Sequence, residues 1–179
     1  MVTLETPRLV LRMFRHEDTD AYAQICADPE VMHYLGGTPL SRGDAWRQMA
    51  MFLGHWQLRG YGMWAAEERA SGALVGRIGF LNPEGWPGFE LAWTLGRPNW
   101  GRGFATEGAR AALDYAFTTL ERDRVISLIR PDNLASIRVA ERLGERVDGE
   151  AEVNGWHVRV YALRRDAWRA SQAERERSP

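Results

Sequence analysis

Residues 90–120 constrain the fold more than any other part of the chain, because they run from strand formers through a glycine-bearing loop into a long helical repeat. After Gly103 the apolar or small residues fall at Ala105, Gly108, Ala109, Ala112, Leu113, Ala116, Phe117 and Leu120. This spacing marks one buried helical face. Glu107, Arg110 and Asp114 share the opposite face at three- and four-residue intervals, which predicts mutual support by ion pairs. Ahead of the helix, Trp100-Gly101-Arg102-Gly103-Phe104 has two glycines that permit a sharp turn and close approach to a ligand. The unpaired amides and positive dipole end of the helix favour an anion there, and phosphate is the natural candidate.

Three phosphate-binding designs compete for this loop. A Rossmann fingerprint needs a third small residue, but counting on from Gly101-Arg102-Gly103 that place is held by Thr106. A P-loop shares the spacing of Gly103 and Gly108, yet Ala109-Arg110 stand where Lys and Ser or Thr are required. The third design is the acyl-CoA loop of the GNAT acetyltransferases, which the string resembles. That family reads Gln or Arg, two free positions, then Gly-x-Gly or Gly-x-Ala; here Gly101-Arg102-Gly103 is present, with Pro98 at the leading position. The longer string PNWGRGFATEG is similar to the branch that includes ribosomal-protein N-terminal acetyltransferases, with Gly108 replacing the usual Ala. A second string, NLASIRVAERLG from Asn133 to Gly144, resembles the same branch. Its next residue, Glu145, stands where the family usually has Phe, which leaves the start of the following strand open. A plain strand-to-helix turn would account for a lone Gly-x-Gly, but not for two matching strings.

The chain has 179 residues, enough for one domain with a sizeable core. Its 23 basic and 24 acidic side chains nearly cancel, so no broad electrostatic footprint for nucleic acid or membrane is expected. One cysteine, Cys26, excludes an internal disulfide framework and reads as a small buried hydrophobe. No apolar run suits a membrane span or a signal peptide, which points to the cytoplasm.

In order, residues 8–14 predict a strand, and a helix opens at His16 and ends at Asp28-Pro29. Ser41 caps a second helix reaching about residue 58, with Ala45, Met49, Phe52, Leu53 and Trp56 on its apolar side. Strands at 61–67, 74–81 and from Glu90 form a meander. Beyond the central helix come a strand at 124–129, a short helix from Pro131 closed by Gly144, and two strands joined by the hairpin dipeptide Asn154-Gly155. Asp166, Ala167 and Trp168 read as peripheral, and 169–179 as a frayed tail. This order is that of the GNAT fold. The resemblance implies an α/β (α+β) domain over residues 1–179, with a mixed, mostly antiparallel sheet of about seven strands flanked by about four helices. It also implies that the strands flanking the central helix splay apart.

Acetyl transfer from a thioester to an amine needs a neutral amine, support for the oxygen that gains charge, and a leaving thiol. Glu90, at the start of the central strand, is the candidate base, since burial raises a carboxyl toward a useful pKa; a structural carboxylate is the competing reading. The resemblance implies acetyl-CoA as cofactor. The diphosphate would lie on amides of Gly101, Arg102, Gly103, Phe104, Ala105 and Thr106, with the Arg102 side chain adding charge. A backbone amide near Trp93, Thr94 or Leu95 would meet the oxygen. Asn133 takes the cofactor-contact place and Ser136 lies near the sulfur; because Ala140 holds the position of the tyrosine acid found in many members, Ser136 is the remaining side-chain acid. Helix capping is the alternative reading of both residues. The acceptor groove implied by the fold offers Met32, His33, Tyr34, Trp46, Trp156 and His157. No histidine has metal-ligand spacing, so no metal is expected. The expected partner is a small-molecule amine or peptide N-terminus, and a homodimer is compatible with the sequence. A non-catalytic acyl-CoA sensor on the same fold is the alternative.

Overall fold

The computed structural model describes residues 2–177. Its strands are β1 (Leu4–Glu5), β2 (Leu9–Arg12), β3 (Met63–Glu68), β4 (Leu74–Leu81), β5 (Glu90–Leu95), β6 (Arg124–Ile129), β7 (Arg146–Val153) and β8 (Trp156–Arg164). Its helices are α1 (Thr19–Ala27), α2 (Pro29–Met32), α3 (Arg42–Arg59), α4 (Phe104–Thr118), α5 (Leu134–Leu143) and α6 (Arg165–Arg177). The strands form one sheet in the order β1-β2-β3-β4-β5-β6-β8-β7. Every pairing is antiparallel except β5 with β6.

Helix α4 covers one sheet face. Its buried stripe of Ala109, Ala112, Leu113, Ala116 and Phe117 packs into a cluster with Leu9, Trp64, Ile78 and Leu91. The other face carries α1 and α3, where Phe14, Tyr22, Cys26, Met49 and Phe52 enclose Met63 and Ala65. Alternation along a strand sends successive side chains to opposite faces, so β4 and β5, buried on both, read as nearly continuous apolar runs. Ser41 caps α3 by accepting from the Asp44 amide at 3.1 Å, as its position predicts.

Several expectations are corrected. The N-terminal region supplies two strands, because a bend at residues 6–8 lets the short β1 fold back on β2. Pro29 both ends α1 and starts the one-turn α2, its fixed φ suiting a first helical position, where Asp28 accepts from the Glu30 amide at 3.0 Å. The terminal segment read as frayed is helical through Arg177, and Trp168 is buried against Phe117 with ring centroids 6.0 Å apart. Glu107 is held from outside its own helix. It accepts from Thr6 Oγ1 at 2.7 Å and the Arg8 amide at 2.8 Å, and pairs with the Arg8 guanidinium at 2.6 Å, tying the first turn of α4 to the β1–β2 bend. Burial works to raise the Glu107 carboxyl, but these partners hold it below the ordinary carboxylate range.

Candidate active site

Strands β5 and β6 meet in parallel at one register position, Glu90 opposite Ile126, where the Ile126 amide donates to Phe89 O at 3.0 Å. Beyond that point they part. The rest of β5 therefore faces an opening between α4 and α5, and two chambers meet there. Both are lined by Tyr34, Leu35, Trp93, Thr94, Asn133 and Ser136.

One chamber, of about 400 Å³, runs along Leu95, Trp100, Gly101, Gly103, Phe104, Ala105 and Thr106 to Val139 and Arg142. Gly103 has φ +82°, a left-handed conformation that glycine adopts without strain, and it is the residue from which α4 springs. The first helical hydrogen bond runs from Glu107 N to Gly103 O at 3.0 Å, so the amides of Phe104, Ala105 and Thr106 have no carbonyl of their own helix. Five of the six loop residues assigned from the sequence therefore line this chamber. Arg102 does not: its guanidinium pairs with Glu68, donates to Asn99 Oδ1 at 3.0 Å and lies 4.4 Å from the Phe104 ring centroid. Its side chain braces the loop from outside.

At the head of α5, Asn133 Oδ1 accepts from the Ser136 amide at 3.1 Å. Both side chains nevertheless line the two chambers, so capping and a ligand-facing position coexist. Ala140 is buried, with no hydroxyl at that turn.

The other chamber, of about 390 Å³, extends from Met32 and Tyr34 past Trp86 and Glu90 to Trp156. Glu90 is buried, and Trp86 Nε1 donates to its Oε2 at 2.7 Å. Burial pushes the carboxyl up to about 7, while the Trp86 bond, the charge of Arg77 and the Leu128 amide restrain the rise. A carboxyl poised there switches between acid and base near neutrality. Met32, Tyr34 and Trp156, three of the six side chains expected in an acceptor groove, line this chamber. Arg130 links two of them, 5.5 Å from the Tyr34 ring centroid and 4.4 Å from that of Trp156. His33 is exposed, packs edge-on against Tyr34, and lies outside the lining, as do Trp46 and His157.

Four side chains in or beside the site were not picked out from the sequence: Arg77, Trp86 and Ser127, which line the second chamber, and Glu145, which is hydrogen-bonded to Ser127. Arg77 and Glu145 each leave a trace in the sequence, as a lone cation in an apolar strand and a carboxylate where a ring is usual. Ser127 and Trp86 leave none, since serine in a strand and tryptophan in a loop are unremarkable. Among the described residues no group of His, Cys, Asp or Glu is disposed to hold a metal ion. None of the helices there is long and apolar enough to cross a membrane.

The model of the GNAT acetyltransferase domain matches residues 8–146. The chain belongs to the GNAT acetyltransferase family, and is an N-acetyltransferase. It is 32% identical over 151 residues to the uncharacterised N-acetyltransferase p20 of Bacillus licheniformis, covering 83% of this chain and 85% of that protein. An acetyltransferase crystal structure from Agrobacterium tumefaciens superposes with a TM-score of 0.82 at 33% identity, over 91% of this chain and 94% of that one. The ribosomal-protein-S5-alanine acetyltransferase of Vibrio fischeri shares the fold at a TM-score of 0.68 and 18% identity, over 94% of this chain and 99% of that one.

Proposed function

We propose that this chain, acting as one domain, transfers the acetyl group of acetyl-CoA to a primary amine by direct attack in a ternary complex. The acceptor is a peptide α-amine or a small-molecule amine. The observation that carries this reading is the single-position pairing of β5 with β6, which opens a strand edge where the two chambers meet. One chamber runs along the free amides at the start of α4, a helix start suited to the diphosphate of an acyl carrier. The other has a buried carboxyl suited to an amine.

When bound, acetyl-CoA supplies the activated acyl group and leaves as a thiol. Gly101, Gly103, Phe104, Ala105 and Thr106 would hold its diphosphate through main-chain amides, and Asn133 would contact the arm. Glu90, as carboxylate, takes the proton that the amine must lose. An α-amine, with pKa near 7.7 to 8.0, asks less of that base than a lysine-like amine near 10.4. A main-chain N–H from Trp93 to Leu95 donates to the oxygen that gains charge, and the Ser136 hydroxyl is the side chain that would give a proton to the departing sulfur.

Isothermal titration with acetyl-CoA and thiol release against a panel of peptides and small amines test the reading. Micromolar binding with amine-dependent thiol release is expected. Tight binding with no release on any amine would instead favour a non-catalytic acyl-CoA sensor, and absence of binding would overturn the proposal.

A further inference from the structure

Arg77 lies on β4 with its side chain on the face of α1 and α3, and it lines the amine-side chamber while only 6% exposed. Its Nε and Nη1 have no hydrogen-bond partner. The Phe52 ring sits 5.1 Å from the guanidinium carbon, and the hydroxyl of Tyr22, also in the lining, donates to Gln48 Oε1 and is itself within hydrogen-bonding reach of the guanidinium. A cation taken out of water is costly unless paired, and an aromatic face and a neutral phenol give this guanidinium no anionic partner.

The neighbouring carboxyl does not fill the gap. Arg77 stands opposite Thr94 in the sheet and Leu81 opposite Glu90, four residues further along, or about 13 Å at the rise of a strand. Glu90 is instead bonded by Trp86, and no ion pair joins it to Arg77 among the described residues. Thr94, the register partner of Arg77, is 6% exposed and its Oγ1 likewise has no partner. Two orphaned donors on adjacent strands thus share one sheet face of the chamber, while the walls are largely Met32, Met51, Leu81, Trp86 and Trp156.

We propose that Arg77 and Thr94 form a subsite for a carboxylate carried by the acceptor, which makes the acceptor an amino-carboxylate with an apolar body. The inference rests on the acetyltransferase reading and narrows its acceptor. A carboxylate completes the hydrogen bonding of both side chains and supplies the missing countercharge. A peptide acceptor whose first residue is apolar has an amide at that place, whose carbonyl can accept a hydrogen bond but supplies no countercharge to the guanidinium, which is the basis of discrimination.

The test uses apolar α-amino acids, each with its carboxamide and a short peptide beginning with the same residue, at saturating acetyl-CoA. Free acids should exceed carboxamides and peptides in kcat/KM by on the order of 10- to 100-fold, the range for a charge-assisted hydrogen bond. Because the carboxamide amine is the less basic, amine protonation works against this difference. In R77M the advantage should fall below about threefold, with acetyl-CoA affinity unchanged by titration, and T94V should lose part of it. Equal use of acid, amide and peptide by the wild-type protein would overturn the subsite. So would an equal loss on all three in R77M, which would mark Arg77 as a countercharge for Glu90. If no amine is acetylated, the transferase reading fails separately, and the subsite is read by titrating N-acetyl amino acids and their carboxamides into the CoA-loaded protein. Failure of the acids to bind more tightly than the amides would overturn it.

Discussion

Ser127 Oγ lies 3.0 Å from Glu145 Oε1, with both residues buried, and the same hydroxyl lies 2.9 Å from Leu91 O just past the point where β5 and β6 part. A hydroxyl has one proton and cannot donate to both oxygens. The contacts are satisfied together when Glu145 is a neutral acid donating to Ser127, which then donates to Leu91 O. Burial pushes the Glu145 carboxyl up to about 8, and the nearby Glu90 adds to the rise. The chain of bonds pins the fork from which the active-site opening begins.

The sign of the pH effect follows. An acid whose pKa rises from 4.5 unfolded to about 8 folded binds more protons in the native state across that interval. Its contribution is full below about 4.5 and is lost as pH rises through about 8. Melting temperatures measured between pH 5 and 9 should fall with pH in the wild type, beyond the share due to Glu90, and less in E145Q. At pH 8 the amide variant should melt higher by at least about 2–4 °C, roughly 1 kcal/mol for a chain of this size. An identical pH slope in the two proteins would refute the neutral acid.

Glu90→Gln should lower kcat by about 10²- to 10⁴-fold, the usual span for a positioned base, with acetyl-CoA affinity retained. In the wild type kcat/KM should rise with pH through about 7 as Glu90 ionises, and that limb should vanish in the variant. Undiminished turnover in E90Q would remove Glu90 from the role.

Gly103→Val places a β-branched residue at φ +82°, where its Cβ would come to 3.4 Å from Arg8 Nη2. The left-handed conformation costs such a residue about 1–2 kcal/mol or more, so the loop should relax away from its present path. Titration should show acetyl-CoA affinity reduced at least tenfold, about 1.4 kcal/mol, with most of the fold retained by circular dichroism. Unchanged affinity would dissociate this turn from the cofactor.

Gly108→Ala tests why glycine stands where the related branch has alanine. A Cβ there would lie 2.4 Å from Ile78 Cδ1, inside the contact between α4 and β4. Helix propensity favours alanine by about 1 kcal/mol, whereas overpacking a buried contact costs about 1–3 kcal/mol, so the clash should win. Denaturation should show G108A destabilised and G108A/I78V substantially recovered. A stabilised single variant would mean the interface yields freely.

Local pattern carried much of this protein. The stripe from Ala105 to Phe117, the cap at Ser41, the turn at Asn154-Gly155 and the glycines at 101 and 103 each depend on residues close in the chain, so each was legible from the sequence. The same holds for the two strings that identified the family, and for Glu90 at the head of its strand. What tertiary structure decided depends on contacts between distant segments. Glu107 faces solvent by helical periodicity but is claimed by Thr6 and Arg8 about a hundred residues away. Trp168 follows a strand in an otherwise polar segment, and only packing on Phe117 makes it core. Arg102 looks like a phosphate ligand until Glu68 takes its guanidinium. The environments of Glu90, Arg77 and Glu145 follow the same rule, because burial and the presence or absence of a partner are properties of the folded neighbourhood, and these determine which charges exist in the site.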